Sequence, residues 1–199
     1  MFILGNKGKD AELRIIEMLE KAGNSFQVKN LKGHVETIAI NNLYHFGATT
    51  KSKVDVTVNN NYRLQIKSTK SNRASIVNMV PVRNWEILAK REMLDIHPVL
   101  DAMEKYYQVT KRTIPLHLLA DNKEDWREII QYFLFEGTST YQADPFAQAT
   151  HLLDVDNGEL LLIDKEDAFD YIWQGLYFEI RTRAGKNEEC VHIRYKKQK

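Results

Sequence analysis

The 199-residue chain holds a single cysteine, Cys190, and that alone removes two classes of protein. One cysteine cannot close an internal disulfide or build a cysteine-based zinc site. Long apolar runs are missing too: none approaches the roughly 18 residues needed to span a membrane. The opening MFILGNKGKD has only three apolar residues after Met1, too few for a signal-peptide core. A cytoplasmic protein is expected. GxxxxGK[ST], GxGxxG, GxSxG and HExxH are all absent, so no nucleotide loop, nucleophile elbow or zinc-protease helix is signalled. The six histidines show no ligand spacing, and His117 and His192 read as core or strand residues. Net charge is nearly absent as well, at +1.

That small sum hides an uneven distribution. Between Tyr62 and Arg91 seven Lys/Arg face one acid, Glu86, and from Glu179 to Lys199 seven basics face three acids. Between Asp121 and Asp170 thirteen acids outnumber three basics. Such a chain can present one positive and one negative face, as a protein holding DNA on one side requires. Scattered solvated charge is the other reading.

Hydrophobic residues make up 43% and charged residues 28%, ordinary for one folded domain. Residues 8–22 place Ala11, Ile15, Met18, Leu19 and Ala22 on one helical face, between Asp10 as N-cap and Gly23 as stop. A strand is expected over 25–29; 33–46 is ambiguous and 47–53 reads as a polar loop. The runs 54–58 and 62–68 flank Asn59-Asn60-Asn61, a hairpin signal. Helices are expected over 84–93, 98–108 and 122–136, the last capped by Asp121 or Asn122 and burying Trp126, Ile129, Ile130 and Phe133. LLLI at 160–163 is a candidate buried strand. Residues 176–183 and 189–195 read as an antiparallel pair, with Cys190 a buried structural thiol. The order implies α/β architecture with a mixed β-sheet flanked by helices.

The hairpin carries the chemistry. Alternation along a strand puts Gln65 and Lys67 on one face and Leu64 and Ile66 on the other, toward a core. Asp55 lies across the Asn turn, so the hairpin can gather Asp55, Gln65 and Lys67 at one sheet edge. A carboxylate is a hard oxygen ligand for Mg²⁺, and a Gln carbonyl can take a second position. A lysine can hold and polarise an attacking water and stabilise charge on a transferring phosphorus. Glu12, on the first helix, is placed to add a carboxylate. Solvated polar residues on an outer hairpin face are the bland alternative.

Asp55-x₉-Gln65-x-Lys67 resembles the PD-(D/E)XK nuclease superfamily in its Gln variant, with Val54 where the motif's Pro stands. The run KSKVDVTV…LQIKSTKSNRASIVNMVPVRNWE looks like the matching region of small type II restriction endonucleases that cut CG-containing tetranucleotides such as GCGC or CCGG. Tyr177 to Asn187 is similar to that group's closing basic hairpin. The resemblance spans about 8–199 and is dense only in 50–90. It implies a restriction-endonuclease-like fold: one nuclease domain over 1–199, a catalytic core over about 8–110 and a DNA-clamping hairpin over about 176–199. It implies Mg²⁺ held by Asp55, Gln65 and Glu12, with Lys67 orienting water. It implies hydrolysis of double-stranded DNA to 5′-phosphate and 3′-hydroxyl ends. Lys70, Asn72 and Arg73 would read or hold DNA, with Asn78 and Arg83 as weaker candidates and Arg181, Arg183 and Lys186 clamping from the hairpin. A homodimer would suit a palindromic target, and a separate DNA methyltransferase is the expected cellular counterpart. The alternatives are a repair nuclease, nickase or resolvase of the same superfamily, a non-catalytic DNA-binding module, and a protein-interaction domain.

Overall fold

Polar turns and short β-rich runs pair into two sheets with helices packed between and around them. The computed structural model describes residues 7–45, 51–68, 74–109, 112–156, 159–183 and 185–197, without the side chains of 7–12, 68 and 156. Helix α1 (Lys7–Lys21) leads into β1 (Ser25–Lys29), β2 (Val35–Ala39) and β3 (Leu43–His45). The hairpin around Asn59–Asn61 follows as β4 (Val56–Val58) and β5 (Tyr62–Ser68), then β6 (Ala74–Pro81), α2 (Val82–Lys90), α3 (His97–Tyr107) and β7 (Ile114–Pro115). Helix α4 (Arg127–Gln131), β8 (His151–Asp156), β9 (Glu159–Asp164), α5 (Lys165–Trp173), β10 (Leu176–Arg183) and β11 (Glu188–Tyr195) complete the chain.

Seven strands form a mixed sheet in the order β2-β1-β9-β8-β5-β4-β3, in which β5 runs parallel to β8 and β1 to β9. The other four form an antiparallel sheet, β6-β11-β10-β7. The expected mixed sheet flanked by helices is therefore present, with a second sheet beside it. Alternation sorts the large sheet's two faces. Leu64, Ile66, Val56 and Leu153 pack with Ile15, Ile16 and Leu19 of α1. Leu152, Val54 and Ile163 face the other way, into a larger core with Trp85, Trp126, Phe169 and Phe178 that also covers the small sheet. Gln65 and Lys67 share that second face.

Three expectations need correction. The segment 122–136 is not one helix: a 3₁₀ turn (Glu124–Trp126) precedes α4, and a π-helical turn (Tyr132–Glu136) follows it. Widening there buries four consecutive side chains, Tyr132 to Phe135, which a regular amphipathic face does not do. Tyr132 Oη donates to the carbonyls of Thr138 (3.0 Å) and Tyr141 (3.2 Å), and it occupies the space a Cβ on Gly137 would fill. His117 is exposed on a 3₁₀ turn rather than in the core. And β6, β8 and α5 were not anticipated. β6 carries extra residues opposite β11, around Asn78 and Met79 (φ 51°), so its alternation is broken. β8 is buried on both faces and shows no alternation at all.

Candidate active site

Asn59 and Asn60 both adopt positive φ, 53° and 60°, in the three-residue turn that joins Val58 to its partner Tyr62. The register that follows, Val56 opposite Leu64 and Thr57 opposite Arg63, places Asp55 at the mouth of the pair. Its N–H donates to the Leu64 carbonyl at 2.8 Å, so Asp55 still belongs to the ladder. Its side chain then takes over where the backbone pairing stops. Asp55 Oδ2 accepts the Ile66 N–H at 2.7 Å and Gln65 Nε2 at 2.6 Å. One carboxylate oxygen is thus fixed from two directions, leaving Asp55 Oδ1 and Gln65 Oε1 as the pair's remaining oxygen acceptors.

Burial pushes the Asp55 carboxyl above the usual carboxylate range, against the pull of the Lys67 charge, the Ile66 N–H, Gln65 and Lys53. Lys53 is the residue the sequence reading passed over. Two positions before Asp55, it shares that residue's field, and burial followed by the neighbouring Lys67 charge brings its ammonium down to about 7. Its backbone is pinned where it stands: Lys53 N donates to the Ala147 carbonyl at 2.9 Å, and Ser52 Oγ accepts the Val54 N–H at 3.0 Å. The signal was available, because Lys-x-Asp puts both side chains on one face of an extended segment. What pins the segment was not, because Lys53 N and Ser52 Oγ both donate to the carbonyl of Ala147, more than 90 residues away.

A second missed group is Asp154. The parallel pairing of β5 and β8 sets Asp154 directly opposite Lys67 and Leu152 opposite Gln65. Asp154 is 1% exposed, and its Oδ2 accepts Tyr171 Oη at 2.8 Å and Lys197 Nζ at 3.0 Å. This carboxylate holds the chain's C-terminal segment against the large sheet.

The donor set at Asp55 fits a hard divalent cation. A carboxylate oxygen and an amide oxygen are suitable ligands for Mg²⁺, and a carboxyl raised by burial gains from a compensating positive charge. Among the described residues, no cluster of three or more His, Cys, Asp or Glu side chains forms a metal site. Glu12 lies in α1, but its side chain is outside the described residues. Lys70, Asn72 and Arg73 also fall outside them.

The remaining candidates lie along the small sheet. Asn78 is exposed where β6 bulges opposite His192. Arg83 Nε pairs with Glu188 Oε1 at 3.0 Å, and Arg181 Nε with Glu179 Oε1 at 2.8 Å, so part of each charge is already answered within the protein. Arg183 stands opposite Glu188 in the hairpin register, and Lys186 is exposed in the turn. Cys190 is buried and free, and burial raises its thiol, as a structural role requires.

No protein-family model matches the chain, and no curated protein matches it. Among solved structures, the fold is similar to that of restriction endonuclease MspI in complex with its cognate DNA. That likeness covers 94% of this chain and 77% of that one, at 14% identity and a TM-score of 0.40. Among the described residues, no helix is long and apolar enough to cross a membrane.

Proposed function

We infer that this protein is a Mg²⁺-dependent endonuclease that hydrolyses phosphodiester bonds of double-stranded DNA at a short sequence. One observation carries the reading: a half-buried carboxylate, oriented by the buried Gln65 and the Ile66 N–H, lies on the same sheet face as Lys67 and within reach of its charge. Solvated residues on an outer hairpin face would have no reason to withdraw from water or to interlock in this way.

In this reading Asp55 and Gln65 hold the cation, with Glu12 as a further carboxylate. The cation, when bound, neutralises charge on the phosphate and activates water. Lys67 orients the attacking water and donates to the phosphate oxygens as charge builds on them. The water oxygen bonds to phosphorus, the bond from phosphorus to O3′ breaks, and the leaving oxygen takes up a proton. The products are a 5′-phosphate and a 3′-hydroxyl. Lys53 adds a second amine beside Asp55, one that titrates at about 7 and so is only partly charged at neutral pH. Gln65 orients Asp55 through its amide N–H while its carbonyl stays free, which an acidic residue at that position could not do without repelling Asp55.

The test is digestion of phage DNA with Mg²⁺, followed by sequencing of the ends. Discrete sites with 5′-phosphates are expected. Lys67→Ala and Asp55→Ala should each slow cleavage by roughly 10²-fold or more. Duplex binding by the wild type with no cleavage in Mg²⁺ or Mn²⁺ would reduce the protein to a binding module. Cuts confined to junctions or mismatches would make it a repair enzyme.

A further inference from the structure

The outer face of the small sheet carries a cluster that the cleavage chemistry does not use. Glu179 is 4% exposed, and its Oε1 lies within ion-pair reach of three groups: Arg181, Arg194 at 2.5 Å and His192 Nδ1 at 3.0 Å. Its Oε2 accepts Thr113 Oγ1 at 3.3 Å. Burial drives His192 down to about 4, so it adds no charge at neutral pH, and its Nε2 bonds Ser75 Oγ at 2.9 Å. One buried carboxylate therefore fixes two guanidinium groups without cancelling both.

Beside this cluster lies a pocket of about 180 Å³ lined by Thr113, Tyr177, Arg194 and Lys196. Tyr177, Arg194 and Lys196 can each donate a hydrogen bond into it, Thr113 already donates to Glu179, and none of the four is acidic. Arg194 and Tyr177 are cross-strand partners. Lys196 is held in place by its N–H, which donates to the Gly175 carbonyl at 2.7 Å. Counting the pocket's Arg194 and Lys196 against the neighbouring Glu179, which Arg181 also pairs with, at least one positive charge remains in excess at the pocket. A concave seat of converging donors with surplus positive charge suits a phosphate group. It suits a base edge less well, because Arg194 is already engaged by Glu179 and its fork is not free for bidentate readout. The next residue, Lys197, reaches Asp154 on the large sheet, opposite Lys67. The pocket is therefore one residue along the chain from the segment tied to the catalytic face.

We propose that Thr113, Tyr177, Arg194 and Lys196 form a seat for a backbone phosphate of the nucleic acid, separate from the phosphate that is cut, with Glu179 as the residue that positions Arg194. This deepens the nuclease reading and rests on it for the identity of the ligand.

The test measures binding of short DNA duplexes of several sequences by fluorescence anisotropy in EDTA, across a series of KCl concentrations. Lys196→Gln and Tyr177→Phe leave the buried Glu179 cluster intact, so folding does not confound them. Loss of one phosphate contact should reduce the steepness of log K against log[KCl] by about 0.9 in Lys196→Gln. It should also weaken all sequences alike. Tyr177→Phe should lose roughly fivefold in affinity with the slope unchanged. An unaltered slope in Lys196→Gln, or weakening confined to particular sequences, overturns the phosphate seat. Mg²⁺ cleavage by the wild type is assayed in parallel: cleavage with an unaltered slope sinks the seat alone, and binding without cleavage sinks the nuclease alone. Titration with inorganic phosphate separates the sources. Millimolar phosphate that shifts the wild-type but not the Lys196→Gln NMR spectrum, in a protein with no duplex affinity, would assign the pocket to a free phosphate and overturn the proposal.

Discussion

Withdrawing a carboxylate from water costs stability unless something positive offsets it, and the half-buried Asp55 is raised for that reason. The sign follows directly. Above its folded pKa the ionised Asp55 destabilises the fold, and the penalty fades as pH falls through that value toward the unfolded 3.8. Asp55→Asn keeps one oxygen for the Ile66 and Gln65 donors and removes the charge. It should raise stability at pH 7 by about 1 kcal/mol, with the gain vanishing near pH 4, while abolishing cleavage. Thermal unfolding across pH measures it; a loss of stability at pH 7 would mean that Lys67 and Lys53 already compensate the charge. His192 works in the opposite sense. Its folded value, about 4, lies below the unfolded 6.5, so the stability contributed by the neutral ring is complete above pH 6.5 and is lost as pH falls toward 4. The melting temperature should therefore drop between pH 6.5 and 4.5, and His192→Asn should flatten that drop.

At the scale of elements, the turn between α5 and β10 has no room for a side chain. A Cβ on Gly175 would lie 2.3 Å from the Lys196 carbonyl oxygen and 2.6 Å from the Tyr195 ring. Gly175→Ala should cost roughly 1–3 kcal/mol by overpacking, and because it displaces Lys196 it should also weaken duplex binding. Urea unfolding with binding measured on the same preparation tests both; destabilisation without any change in binding would detach Lys196 from the DNA. The β4–β5 hairpin was legible for the opposite reason. Its turn chemistry, its alternation and its chemical residues all lie within 13 positions, Asp55 to Lys67. The α4 region was legible only in its content. Trp126, Ile129, Ile130 and Phe133 are buried as expected, but four consecutive buried side chains required a π turn that no 3.6-residue period announces.

At the scale of the whole molecule, the larger core already joins the two sheets, and just past β11 an ion pair adds a polar tie from Lys197 to Asp154 on β8. Lys197 and Asp154 are 16% and 1% exposed in their side chains, so this is a buried pair rather than a surface one. Removing one partner leaves the other charge stranded. Lys197→Met should cost roughly 3 kcal/mol, and Asp154→Asn combined with it should recover most of that loss. Equal stability of the single and double variants would show that Lys197 adds nothing to the junction. The same junction sets Asp154 opposite Lys67, so the single variant should also slow cleavage.

What the sequence determined by itself was local. Side-chain alternation and turn chemistry act over a few residues, so Asp55, Gln65 and Lys67 could be grouped before any fold was known, and so could the 176–195 hairpin and the buried thiol of Cys190. Tertiary structure alone decided what lies opposite and above them. Asp154 meets Lys67 through a parallel pairing 87 residues distant, the Ala147 turn holds Lys53 from even farther, and β11 carries Arg194 and the following Lys196 to Tyr177 and Thr113. Periodicity encodes which face of a segment is buried. It does not encode which distant segment buries it, because that choice depends on how all the apolar faces of the chain are covered at once.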